Sequence, residues 1–568
     1  MHRALQIPEL LLDIFQAGEY EKCDLLPLAL VCSVWNAVAV AVLWEEPKAT
    51  SLLKLLPLDA WRVVKSMPNS GSIFAGSKPI ERFAIVRPLT ASDWERVLKR
   101  SCYVRSLRWD ADYDYDESNL DQSVYSRILA SPPPATLFPA LRDLTCAARN
   151  PKSAQVIQLF LAPSLGRFVM MFYPWRGVRV TDIAATLAAL GRRCPHLRVL
   201  GFDSYNYQDI PWLDFTLLEN AIVDLARASG GALTTLSINM PCSAVFLPSF
   251  ARCSSLVDVS VENQTPEGLA IPTYPSDGFP ALCSLALTGI SIRSASALVK
   301  SWGRRAMEDI SISTLSDVTS RTLLDFTQAV SDHCKPRALH LILIRASASL
   351  FGEIEVAEPF AVRHAHLAPL RAFSELEMLV IKASRGSRIT DTEYADLARS
   401  WPHLNTINLT GMCERDTPAV ATLKALLPFA QCRELTDISL ELNAVAVPPH
   451  TTSPAQVVND KVTSLSVGDA PIGVNSFAVA LYLSKVYPKL DTVQYECNPE
   501  LEDEGEPETV RRQERWSTVE TIFRTARNLK VPVEELQTLS RNLKTSIEDM
   551  CAVYGDHKDE DEGDWDVY

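Results

Sequence analysis

The chain has 568 residues, 47% of them hydrophobic, which is more than one compact core accommodates, so an elongated or divided architecture is expected. Its net charge of −14 is concentrated: residues 498–509 hold six acids and no base, residues 556–568 hold seven acids and one lysine, and together they account for −12 of the total. The rest of the body is nearly neutral, which argues against nucleic acid as a partner. The 13 cysteines form no C-x-x-C pair, so they read as reduced core thiols, with no metal centre or disulfide framework expected.

From the N-terminus, Pro8 can open a helix, and Leu10, Leu11, Ile14 and Phe15 then form an apolar stripe. After a charged turn over Glu19 to Asp24, a second helix is expected to carry Leu28, Val31, Cys32 and Trp35, and a third run ends at Leu43 and Trp44. Leu25 to Trp44 has no charged residue and is long enough to span a bilayer, but Pro27, Ser33, Asn36 and the lack of flanking basic residues argue against a membrane. Glu9, Asp13, Glu19 and Glu21 interrupt any secretory signal, so the chain is expected inside the cell, in cytoplasm or nucleus.

This stretch resembles the F-box. The resemblance is carried by IPELLLDIF, LALVCSVWNAVA and VLW, in that order, against the usual L-P-x-E-L-L-x-x-I-F, L-V-C-x-x-W and closing L-W. It implies that Pro8, Leu10, Leu11, Ile14 and Phe15 of the first helix, with Leu30, Val31, Cys32 and Trp35 of the second, bind a Skp-family adaptor and through it a cullin. Ile7 stands where the family has Leu, and Ser33 where it mostly has Arg or Lys. Without a partner, the same stripe would read as a helical cap on the repeats that follow.

Residues 47–135 read as an irregular helical connector leading into the first repeats, with helices expected over Leu52 to Lys65 and Ser92 to Cys102. GSIFAGSK at 71–78 approaches the phosphate-cradling G-x-x-x-x-G-K-[ST], but Ser77 separates the glycine from Lys78 and Pro79 follows, so nucleotide binding is not expected.

One pattern recurs from 136 to 497. Its most complete copy runs from Ile389 to Gly411, where Tyr394, Leu397, Ala398 and Trp401 lie at helical spacing behind a Thr390 or Asp391 cap. Pro402 ends the helix, and Leu404, Ile407 and Leu409 follow as L-x-x-I-x-L, a short strand that needs neighbours to complete its hydrogen bonds. Copies begin at Leu141, Leu197, Leu233, Leu256, Leu282, Leu376, Leu404, Leu435, Val462 and Leu490, with weaker candidates at Val104, Leu165, Met307 and Ala338. From Leu376 the anchors lie 28, 31, 27 and 28 residues apart, which fits a strand plus a helix per repeat. The pattern resembles leucine-rich repeats in degenerate form, without their strict asparagine.

The expected fold class is therefore α/β. A small helical F-box-like bundle (1–46) and the connector (47–135) precede a leucine-rich-repeat-like solenoid over 136–497, a curved parallel sheet with outer helices. An acidic linker (498–509) leads to a helical cap (510–554) carrying Trp516, Val519, Ile522, Phe523, Val533, Leu536, Leu539, Leu543 and Ile547, and residues 555–568 form a disordered acidic tail.

Side chains alternate along such strands, so the positions between the apolar ones should line the concave face. Asp203, Asp258, Glu262, Lys382, Thr406, Asn408, Asp437 and Glu441 are the candidate substrate contacts, beside Gly201, Val380, Thr410 and Glu496. Their excess of acids points to a protein substrate with a Lys- or Arg-rich segment.

No H-E-x-x-H or G-x-S-x-G occurs, and His364 and His366, two residues apart, read as a solvated surface pair, so neither an enzyme nor a cofactor is expected. An F-box followed by repeats implies the substrate-recognition subunit of a Skp–cullin–F-box ubiquitin ligase. The chain resembles the divergent sets of such proteins in mushroom-type fungi, which share the W-P-x-L turn seen at Trp401 to Leu404. The alternative is a leucine-rich-repeat interaction scaffold that engages no ligase.

Overall fold

The computed structural model describes residues 6–18, 20, 22–66, 80–111, 119–174, 177–204, 215–263, 278–314, 318–346, 360–383, 385–411, 419–449, 458–468, 470–495, 507–536, 538–539 and 541. The 71–78 loop, residues 498–506 of the linker, Glu496, Leu543, Ile547 and the 555–568 tail lie outside them. The chain forms two compact units, Met1–Ile290 with Ser301–Gly303, and Ser291–Lys300 with Arg304–Tyr568.

The first unit begins with helices α1 (Pro8–Ala17), α2 (Lys22–Leu28) and α3 (Ser33–Leu43). An antiparallel pair follows, β1 (Trp61–Ser66) and β2 (Ile80–Ile85). Seven parallel strands then pair in chain order: β3 (Ser106–Trp109), β4 (Asp143–Ala148), β5 (Arg167–Phe172), β6 (Val199–Ser204), β7 (Thr235–Asn239), β8 (Asp258–Glu262) and β9 (Ser284–Thr288). The second unit repeats this with β10 (Asp309–Thr314), β11 (Leu341–Ala346), β12 (Met378–Lys382), β13 (Thr406–Asn408), β14 (Asp437–Ser439), β15 (Ser464–Ser466) and β16 (Thr492–Gln494). The fold is thus α/β and leucine-rich-repeat-like, with parallel strands alternating with helices or short helical turns.

Register is carried by the main chain. Strand after strand begins two residues past a buried apolar anchor, and the carbonyl between them accepts two N–H groups from the next repeat. Arg142 O, for example, takes the N–H of Gly166 and Arg167 at 2.8 and 2.9 Å, and His340 O those of Glu377 and Met378 at 2.8 and 2.9 Å. Two bonds to one carbonyl satisfy both of its lone pairs and fix the next strand without any particular side chain. The weaker candidates Val104, Leu165 and Met307 are anchors of this kind, followed by β3, β5 and β10. Ala338 is displaced by one: the buried anchor before β11 is Leu339.

Two expected helices are corrected. Leu52 to Lys65 is not one helix, because a helix over Ala49–Leu53 stops before Pro57, and Trp61 to Ser66 forms β1, with the Trp61 ring stacked 5.2 Å from Phe83 of β2. The second N-terminal helix is divided: α2 closes one residue after Pro27, and Cys32 is fully extended (φ −164°, ψ 174°) before α3 starts at Ser33. Asn36 holds the turn, its side-chain amide donating to Ala29 O at 2.8 Å.

Near the C-terminal end of the described chain, the helix Pro507–Leu529 begins inside the expected linker. Trp516, Val519, Phe523 and Ala526 are its buried stripe, and the Trp516 indole donates to Ala470 O at 2.9 Å. Within the complete repeat, Thr390 is the cap, exchanging bonds with Glu393; Asp391 instead accepts the N–H and the hydroxyl of Thr422, both at 2.7 Å.

Candidate interaction surfaces

The N-terminal helices close a small core of their own from Leu11, Phe15, Leu25, Ala29, Val38 and Ala39, with the Trp35 ring edge-on to Phe15 at 5.6 Å. That corrects the expected adaptor face: Leu11 and Phe15 are buried, and Cys32 and Trp35 only partly exposed. Ile7, Leu10 and Ile14, at i, i+3 and i+7, point outward, each a little over 40% exposed, beside exposed Pro8. A second exposed group is Leu26, Leu30 and Val31 at the end of α2, with Leu30 85% exposed. The bundle thus hides one apolar stripe and presents another.

On the strands, burial alternates as expected. The iBiBi rhythm of β8, for example, leaves Asp258, Ser260 and Glu262 half-buried on the open face between buried Val259 and Val261. Asp203, Lys382, Thr406, Asn408 and Asp437 occupy equivalent half-buried positions. Asp203, Asn239 and Glu262 share one register row, and the Asn239 amide donates to Asp203 Oδ1 at 2.9 Å. Two of the expected face residues, Thr410 and Glu441, are instead interior; Val380, in register with Leu343 and Asn408, and Gly201, beneath the methyls of Val169, keep their place on the face but are buried.

Glu441 is the largest departure. It lies past the end of β14, where the strand pairing has stopped, and its carboxylate turns inward to accept Gly411 N–H at 2.6 Å and Ser387 N–H at 2.9 Å. These amides belong to the segments leaving β13 and β12, so one carboxylate ties two neighbouring repeats. Gly386 (φ +64°) passes so close to it that no side chain fits there.

Sequence reasoning missed charges on this face. Arg108, Asp143, Arg167, Asp309 and Arg345 all sit at open-face positions, and Arg108, Arg167 and Arg345 are exposed. Most belong to strands that follow weaker anchors; applying the anchor-plus-two spacing there would have found them. The acid excess therefore persists in the β6–β8 row but not in the second unit, where Asp309 and Asp437 face Arg345 and Lys382 in number.

His366 is buried, not solvated. Its Nδ1 accepts Arg363 N–H at 3.0 Å, so the neutral ring carries its proton on Nε2, 2.8 Å from Ser320 Oγ. A ring that donates to the serine cannot also take its proton, so the pair is a brace between segments and no nucleophile. In the first unit, Tyr125 donates to Asp110 at 2.6 Å while the Arg149 guanidinium lies 4.6 Å over the Tyr173 ring, joining the ends of β3 to β5. Among the described residues no group of three metal-ligating side chains comes together, and no helix is long and apolar enough to cross a membrane.

No family model and no curated protein matches the chain. Among solved structures it is similar to a chain of the Rad7 and Elc1 complex in yeast, at 14% identity over 71% of this chain and 78% of that one, with a TM-score of 0.30. It is also similar to the leucine-rich-repeat ectodomain of the plant membrane receptor kinase GASSHO1/SCHENGEN3 from Arabidopsis thaliana, solved with CASPARIAN STRIP INTEGRITY FACTOR 2. That likeness has 12% identity, covers 72% of this chain and 53% of the receptor chain, and has a TM-score of 0.24. Neither likeness bears on the function proposed below.

Proposed function

We propose that the chain is an interaction protein, the substrate-recognition subunit of a Skp–cullin–F-box ubiquitin ligase. The observation that carries the reading is the outward apolar stripe of Ile7, Leu10 and Ile14, with Leu26 of α2 and Leu30 and Val31 of the turn after it, on a helical bundle whose inward faces already close a core. Apolar side chains at helical spacing that are not needed for the fold are suited to burial by a partner. The F-box resemblance names that partner as a Skp-family adaptor, and through it a cullin. The sheet's open face holds the substrate, and the Asp203, Asn239 and Glu262 row suits a segment rich in Lys or Arg.

The test is recovery of a purified Skp adaptor by the full chain. Leu10→Asp with Ile14→Asp places unpaired charge in a desolvated contact and removes two apolar side chains from it, which together should weaken binding by at least about a hundredfold. Undiminished recovery by a folded double variant rejects the adaptor reading. If the chain recovers no adaptor and deletion of residues 1–46 leaves its other partners bound, the repeats act as a scaffold without a ligase.

A further inference from the structure

Strands β11 and β12 carry a pair of like charges in direct register: Arg345 lies opposite Lys382, with Ser313 of β10 on the other side. Adjacent strands are about 4.8 Å apart, and like charges placed opposite each other destabilise a sheet. Neither side chain has an ion-pair partner among the described residues. Among the described residues, the acids of this part of the sheet lie in other rows. Asp309 is two register rows away at the start of β10, Asp437 lies in that same row on β14, and Glu377 precedes β12 and faces His340 Nδ1 at 3.2 Å.

The rows beneath the pair are apolar. Leu343 lies opposite Val380, and Leu341 opposite Met378, while the flanking strands present Ser311 and Asn408, or Asp309 and Thr406. Leu341, Leu343 and Met378 are half-buried on the face where the other strands of this unit carry only polar residues, Ser, Thr, Asn, Gln or Asp.

We propose that this patch docks a protein segment bearing a carboxylate side chain next to apolar ones. The carboxylate meets the Arg345 fork and the Lys382 ammonium, relieving their repulsion, and the apolar side chains cover Leu341, Leu343 and Met378. The inference rests on the reading that partners bind the open face, and it assigns this part of the face the opposite preference to the acidic row on β6–β8.

The experiment selects binders for the full chain from a displayed library of random 12-residue peptides. Selected peptides should be enriched in Asp or Glu beside Leu, Ile or Phe. They should bind at least about tenfold more weakly to Arg345→Glu with Lys382→Glu, and more weakly as salt rises. Arg345→Gln with Lys382→Gln, which preserves the side-chain bulk, should lose affinity in the same direction. Enrichment of basic peptides, equal affinity for wild type and variants, or no enrichment overturns the proposal. A tenfold gain when phosphoserine replaces the selected acid overturns the carboxylate assignment in favour of phosphate. Adaptor recovery is measured on the same proteins: its retention by the variants with peptide binding lost supports this site, and its absence in wild type with peptide binding intact rejects only the ligase reading.

Discussion

The N-terminal helices and the repeat strands use leucine-type residues in opposite ways. Before the parallel strands the anchor is almost wholly withdrawn from water, as at Leu141, Leu197, Leu376 and Leu435. In α1 to α3 a closed core leaves Leu10, Ile14 and Leu30 outside. A fully exposed Leu or Ile forgoes roughly 1.5–3 kcal/mol of transfer free energy; Leu30, at 85% exposure, comes close to that, while Leu10 and Ile14, a little over 40% exposed, forgo part of it. The repeats, by contrast, present polar, charged or mixed positions on their open face.

Substitutions can break this contrast. Trp401→Ala, which empties a fully buried site and strands the Leu370 carbonyl that accepts its indole N–H at 3.2 Å, should cost about 3–5 kcal/mol, read as a lowered midpoint in chemical denaturation. Leu11→Asp should likewise unfold the N-terminal bundle, costing at least about 3 kcal/mol, whereas Leu10→Asp should stay within about 0.5 kcal/mol of wild type. Equal protease sensitivity of the two variants would erase the distinction between hidden and presented stripes. Glu441→Ala leaves the buried Ser387 N–H and the part-buried Gly411 N–H without their acceptor and should cost about 3 kcal/mol, while Asp437→Ala on the open face should cost little. If both lose the same amount, Glu441 is not the tie between repeats.

The smallest effect is in pH. Burial, and after it the charge of Arg363, lowers the His366 pKa below the usual 6.5. The unfolded chain therefore binds this proton more readily than the folded one, so its contribution is fully present above about 6.5 and is lost as pH falls through the lowered folded value. His366→Gln should flatten the decline in thermal midpoint between about pH 7 and pH 5. An unchanged slope would mean other groups govern it.

The strands were legible because the L-x-x-L-x-L spacing reports a local period, and even Val104 and Met307 obeyed it. Leu52 to Lys65 has helical spacing without forming one helix, because Pro57 breaks it and the β-favouring residues from Trp61 onward pair as a strand. Exposure within α1 was only half legible: the stripe is visible in sequence, but which of Leu10 and Leu11 faces Val38 depends on the other helices. The burial of Glu441 and His366 was not legible at all, since their partners, Ser387, Gly411 and Ser320, lie 30 to 54 residues away and meet them only once the repeats stack.

The doubled main-chain bond at each step has a further consequence for how such a chain can change. Because alignment is set by one carbonyl beside the anchor, the chain between strands is free to lengthen: anchors lie 23 residues apart at Leu233 and Leu256 but 37 apart at Leu339 and Leu376. Closing a longer loop costs little extra entropy, about 0.6 kcal/mol per doubling. Insertions can therefore accumulate between strands, and recognition segments can be grafted there, while the spine that carries them keeps its register.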